Sequence, residues 1–311
     1  MLQIFRAPRF DFLGRRRYAY VFSGLLIVGS LVALFEQGLN YGVDFRGGTE
    51  IRLQFQQQPD IAELRSRLQQ ADLGDVSLQR LGQAHEREVL LRLGGKELHE
   101  GGQDPAEVSE QVVAAIREGG NAWGGFELRS VDYVGPSVGR ELRIKAVWAI
   151  IGSLFGILIY LAFRFETKYG VAAVVTVAHD ALVTVGLFAT TQRPFDLTVV
   201  AALLTIVGYS LNDTIVIFDR VRENLRVRRM SAPLEKVMNT SINQTLGRSI
   251  VTSMTTLLVI ASLYFLGGER INSFAFAMMI GVVVGTYSTI YISCPFVLLW
   301  ERLRARRAGR A

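Results

Sequence analysis

The chain has 311 residues, half of them hydrophobic, and a formal net charge of +6. Its mean hydropathy of +0.28 is too high for an ordinary soluble domain and too low for a chain lying wholly in lipid. A single cysteine, Cys294, excludes a disulfide framework and a cysteine-based metal site.

Residues 1–17 are basic, with Arg6, Arg9, Arg15, Arg16 and Arg17. They lead into the first of six apolar stretches: 18–35, 143–163, 170–190, 197–218, 249–268 and 274–300. About 20 apolar residues span the hydrocarbon core as a helix. Each stretch therefore predicts a transmembrane helix, and the chain is expected to be a polytopic α-helical membrane protein with six of them. The first stretch is long for a signal peptide's apolar region. Glu36, Gln37 and Gly38 follow it without a small-residue cleavage pattern, so it reads as an uncleaved anchor.

Residues 36–141 form the one large loop. Strand-like alternation at 49–55 puts Ile51, Leu53 and Phe55 on one face. Helical spacing of Ile61, Leu64 and Leu68 follows, with Asp60 as N-cap. Short strands are expected at 76–81 and 88–93. A helix at 104–119 has Pro105 at its first position and Val108, Val112 and Ile116 on one face. A last strand covers 126–134. The order β-α-β-β-α-β predicts a ferredoxin-like α+β domain.

The third and fourth stretches each contain an acid. Thr176, Asp180 and Thr184 share one helix face, with His179 alongside. In the fourth, Thr205, Gly208 and Asn212 form a small or polar line beside Asp213. Residues 219–247 then read as a basic loop with Arg220, Arg222, Arg226, Arg228, Arg229 and Lys236. The fifth stretch opens with Arg248, Thr252, Thr255 and Thr256 on one face. Gly281 and Gly285 give the sixth a small-residue packing face. The tail, 301–311, is basic again.

The three basic segments fall on one side of a six-span chain, and the positive-inside rule makes that side cytoplasmic. Both termini are expected inside and residues 36–141 outside, in the periplasm. That loop carries 18 acidic and 11 basic residues, against 10 and 23 elsewhere. The arginines flank membrane spans and are not interleaved with stacking aromatics, so no nucleic-acid partner is expected.

A charged group at the bilayer centre costs roughly 2.5–3.5 kcal/mol on insertion scales and marks an ion or proton pathway. The economical expectation is that the three polar stripes face one another, their hydroxyls solvating Asp180, Asp213 and Arg248. Low dielectric favours a protonated carboxyl and a nearby guanidinium favours the ionised form, so Asp213 is suited to gain and lose a proton. Arg248 keeps its proton and is better cast as a movable counter-charge. The alternative is a static ion pair that sets helix register. His179-Asp180 has the look of a phosphohydrolase metal pair, but His85 and His99 are the only other histidines and lie in the external loop. No metal or other cofactor is expected. Neither a nucleophile with a histidine partner nor a Gly-rich phosphate loop is present, so no enzyme activity is expected.

Three segments together resemble the SecF family of bacterial protein-export membrane proteins: YGVDFRGGTE (41–50), VGPSVGREL (134–142) and GYSLNDTIVIFDRVREN (208–224). Their order and spacing in a six-span chain match that family. The resemblance implies a membrane fold of the resistance-nodulation-division (RND) type. It implies association with SecD, the SecYEG channel and YajC in the bacterial inner membrane. It also implies use of the proton-motive force to draw translocating preproteins outward. By family pattern Asp213 and Arg248 align with proton-coupling residues and Thr252 with a supporting hydroxyl. Asp180 lies in a family-like HD segment. Gly47 and Gly48 are expected to turn the chain into the first strand, and Pro136 and Gly139 to set the re-entry bend. Two competing functions are a small-molecule exporter half of the same superfamily and a non-transporting scaffold. One loop of this size is too small to enclose a drug path.

Overall fold

The structure is a computed structural model that describes residues 10–71, 75–81, 87–94, 105–118, 123–227, 233–307 and 309. The chain divides into two units, one comprising 1–40 with 148–311 and the other 41–147.

The smaller unit follows the expected order. A short helical turn α2 (Val43–Arg46) precedes β1 (Gly48–Phe55), α3 (Ile61–Gln70), β2 (Asp75–Leu81), β3 (Glu88–Gly94), α4 (Pro105–Glu118) and β4 (Phe126–Val134). The sheet runs β2-β3-β1-β4, antiparallel throughout. The alternation in β1 does what its pattern requires: Ile51, Leu53 and Phe55 are buried against Leu64 and Leu68 of α3 and Val112 and Ile116 of α4. Asp60 caps α3, its carboxylate accepting from the Ala62 N–H at 2.8 Å. On the other sheet face Glu50 is buried and answered by Arg52 and Arg92, at 3.3 and 3.2 Å.

The two motifs of this unit meet. Gly47 and Gly48 adopt φ of 75° and 119°, which side-chain-bearing residues rarely tolerate. A Cβ on Gly139 would stand 3.0 Å from the Gly47 nitrogen, so only glycine lets the next helix start against that turn. Arg143 then donates to the Phe45 carbonyl at 2.8 Å and lies over the Tyr41 ring.

The larger unit is helical. Among the described residues, six helices are long and apolar enough to cross a membrane. They are α1 (Arg16–Glu36), α5 (Pro136–Arg164, which starts in the smaller unit), α6 (Thr167–Thr191), α7 (Leu197–Val227), α8 (Leu234–Leu266), and a sixth built of α9 (Glu269–Ser288), one π-helical turn (Thr289–Ser293) and α10 (Cys294–Arg307). The chain is a polytopic helical membrane protein. Helices α6, α7 and the sixth span are half enclosed by their neighbours, whereas α1, α5 and α8 present mostly apolar outer faces. Close approach is set by small residues. A Cβ on Gly186 would strike Ser30 of α1, and one on Gly281 would strike Ile206 of α7. Gly281 and Gly285 are thus the packing face expected of them. Cys294 is free and fully buried among apolar neighbours.

Two features differ from the sequence expectation. Much of 219–247 is helix rather than loop: α7 runs on to Val227 and α8 begins at Leu234. The reason is packing, since Val237, Met238, Ser241, Ile242 and Thr245 recur at helical spacing and are buried. The sixth span is also not one uniform α-helix. Pro295 lacks an N–H to offer the preceding turn, and the π turn sits just before it. Hydroxyls satisfy carbonyls there: Thr289 donates to Gly285 at 2.9 Å and Ser293 to Thr289 at 2.6 Å.

The arginine-rich ends of the helices converge. Glu235 at the start of α8 accepts from both Arg16 and Arg302. Lys168 binds Glu301 at 2.7 Å, and Arg164 meets Asp219 at 3.5 Å. Residues Phe10 and Phe12 pair through their main chain with Asn239 and Asn243 of α8.

Candidate functional site

The polar stripe of α6 points inward. Thr176, Asp180 and Thr184 are fully buried. Asp180 Oδ2 accepts from Ser210 of α7 at 2.6 Å and from Ser288 of α9 at 2.9 Å. Its Oδ1 stands 3.0 Å from His179 Nδ1. Gly285 makes this approach possible, since a Cβ there would lie 3.3 Å from Ser210 and 3.6 Å from Asp180 Oδ2. One turn further along, the hydroxyls of Thr214 and Thr289 meet at 3.1 Å. Three helices are thus joined by one carboxylate. His179 Nε2 is buried without a partner among the described residues.

The threonines of that stripe do not solvate the acid. Thr176 donates back to Ala172 and Thr184 to the Asp180 carbonyl, both at 2.8 Å. Such back-bonding satisfies a hydroxyl within its own helix. Ser210 and Ser288 do the solvating instead, and sequence reasoning missed both. The signal available was indirect: a serine three residues before Asp213, and another three residues after a helix-packing glycine.

Asp213 is placed differently. It lies on α7, 6% exposed, with Arg248 and Ser249 of α8 as its polar neighbours. No ion pair within 4.0 Å joins Asp213 to Arg248 among the described residues. The Ser249 hydroxyl is itself buried with no partner at hydrogen-bond distance among the described residues, so its contact with Asp213 is a near approach rather than a formed bond. Arg248 is exposed on the outside of this chain. Thr252, one turn on, spends its hydroxyl on the carbonyls of Arg248 and Ser249, both at 3.0 Å.

The three polar stripes therefore do not converge, and that expectation is corrected. Thr205, Gly208 and Asn212 lie on an exposed face of α7, and Arg248 and Thr255 on an exposed face of α8. Helical period places residues on a common face but carries no information about which neighbour that face meets. The α6 stripe is enclosed, and the other two open outward from this chain.

The SecD/SecF C-terminal family model matches residues 117–303, and the SecD/SecF GG-motif model matches 32–59. The protein translocase subunit SecF of Calditerrivibrio nitroreducens is 42% identical over 297 residues, covering 95% of each chain. That of Pseudomonas aeruginosa is 43% identical over 293 residues, covering 94% of this chain and 92% of its own. This chain belongs to the SecF family. Its fold is similar to a solved structure of SecDF from Thermus thermophilus, a translocon-associated membrane protein, with TM-score 0.81 and 36% identity over 95% of this chain. A second SecDF structure, in a super-membrane-facing form, gives TM-score 0.70 and 37% identity over 98% of this chain. The chain spans only 39% and 40% of those two longer chains. The family is one of membrane transport components, and its GG-motif model covers the Gly47-Gly48 turn described above.

Proposed function

We propose that this chain works as the SecF part of a SecDF-type motor in the bacterial inner membrane, drawing unfolded preproteins outward at the expense of the proton-motive force. SecD would cover the open polar face of α7 and α8, and SecYEG and YajC would complete the assembly. The basic helix ends and both termini lie in the cytoplasm in this reading, and the smaller unit is a ferredoxin-like periplasmic domain.

The observation that carries the reading is the state of Asp213: an acid sunk in an apolar span, with no formed hydrogen bond or ion pair among the described residues, beside an exposed arginine. Such a group is under-satisfied when charged and can change its partners without dismantling the core. One proton crossing about 100 mV releases roughly 2.3 kcal/mol, enough to bias two states of similar free energy. Protonation of Asp213 removes its attraction for Arg248, so α7 and α8 shift, and the first and second spans carry the change to the external domain between them in sequence. Thr252 braces the Arg248 turn. Asp180 serves the coupling as a positioning residue, holding α7 through Ser210 three residues from Asp213.

The test is Asp213→Asn in proteoliposomes holding this chain, SecD and the channel. Export is expected to fall to the rate seen without a proton gradient. Gradient-stimulated export at the wild-type rate would remove Asp213 from the mechanism.

A further inference from the structure

Away from Asp213, the arginine-rich end of the bundle contains a recess of about 580 Å³ between the start of α6 and the end of α10. One wall is Glu166, Thr167 and Lys168. The other is the last turns of α10: Trp300, Leu303, Arg304 and Arg307.

The charges in it are not equivalent. Lys168 is largely buried and already answered, by Glu166 at 2.8 Å and Glu301 at 2.7 Å. Glu166 is correspondingly occupied. Arg304 and Arg307, one turn apart and exposed, have no ion-pair partner among the described residues. Two free guanidiniums therefore open onto a recess that also holds the beginning of α6. Glu166, in the N-cap position there, makes no side-chain capping bond, though its carbonyl accepts from the Tyr169 N–H at 2.9 Å. The apolar side is equally defined. Trp300 and Leu303 lie on the same helix as the arginines, and Leu299 and Leu303 are 50% and 48% exposed.

We infer that this recess binds the headgroup of an anionic phospholipid. The guanidinium fork suits a phosphate's paired oxygens. Indole rings favour the boundary between headgroup and hydrocarbon. The exposed leucines offer the lipid's chains an apolar track that a soluble phosphate has no use for. Basic pockets between spans on the cytoplasmic side are a recurrent place for acidic headgroups, and this recess sits among the basic helix ends. A lipid held there would clamp the start of α6, the helix that carries Asp180, to the end of α10.

The experiment is lipid retention by the full chain, followed by native mass spectrometry during delipidation. Phosphatidylglycerol, phosphatidylcholine and inorganic phosphate are offered in separate arms. Phosphatidylglycerol is expected to remain bound and phosphatidylcholine to leave. Arg304→Gln with Arg307→Gln should weaken phosphatidylglycerol about thirtyfold, the factor that ~1 kcal/mol per arginine implies for two. Arg226→Gln with Arg306→Gln removes two charges that do not line the recess and should change retention less than about threefold. Equal weakening by both pairs would mean diffuse attraction and overturn the site. Equal retention of phosphatidylcholine would overturn it too. Displacement of the lipid by an equal concentration of inorganic phosphate would make it a soluble-anion site.

Discussion

Asp180 and Asp213 are two carboxylates sunk in one bundle, yet their surroundings are opposite. Asp180 is fully enclosed and accepts from hydroxyls of two other helices, with His179 against its second oxygen. Asp213 retains a trace of exposure and has no formed bond among the described residues, only the nearness of Arg248 and Ser249. The contrast separates two uses of a buried acid. One satisfied on every side holds helices in place, because moving it orphans several partners at once. One left under-satisfied at an open face can change protonation and neighbours at small structural cost.

The comparison breaks most visibly if the roles are reversed. Asp213→Asn, expected to abolish gradient-stimulated export, should leave stability within about 0.5 kcal/mol, since no formed bond is lost. Asp180→Leu strips the Ser210 and Ser288 hydroxyls and His179 of their shared acceptor. It is expected to destabilise the bundle by roughly 3 kcal/mol, read by reversible unfolding in mixed micelles. A variant that unfolds like the wild type would show that the cluster is not a latch.

Arg248→Lys sharpens the other half of the comparison. It keeps the charge and loses the planar fork. Gradient-driven export in the reconstituted translocon should drop several-fold, with no change in unfolding; an unaltered rate would mean that a point charge suffices. The smallest effect belongs to Thr252→Val. Its hydroxyl is engaged with its own helix backbone, so export should stay within about twofold of wild type. A loss as large as that of Asp213→Asn would place the hydroxyl in the proton path itself.

Much of the fold was legible in the sequence for reasons that are local. The period-two run Ile51, Leu53, Phe55 buries one sheet face, and the Leu64, Leu68 and Val112, Ile116 pairs bury the helices laid on it. Asp60 caps where its position before an apolar period says it should. The six spans follow from apolar length alone, though the polar extensions of α7 and α8 do not, because their amphipathic packing lies outside the apolar windows. What remained hidden is non-local. Thr176, Asp180 and Thr184 share a face by period, yet Ser210 and Ser288, remote in sequence, complete the site. The outward turn of Asn212 and Arg248 was equally unreadable, since a face shows its residues and not its neighbour. The π turn before Pro295 meets α7 where Thr289 touches Thr214, again a contact between distant segments.

The most direct measurement is the pH-dependent infrared difference spectrum of the chain assembled with SecD. Carboxyl bands are assigned by comparison with Asp213→Asn and Asp180→Asn. A protonated-carboxyl band that rises and falls with pH and vanishes in Asp213→Asn alone is the predicted result. The same band surviving in Asp213→Asn, or vanishing only in Asp180→Asn, would contradict the division of labour between the two acids.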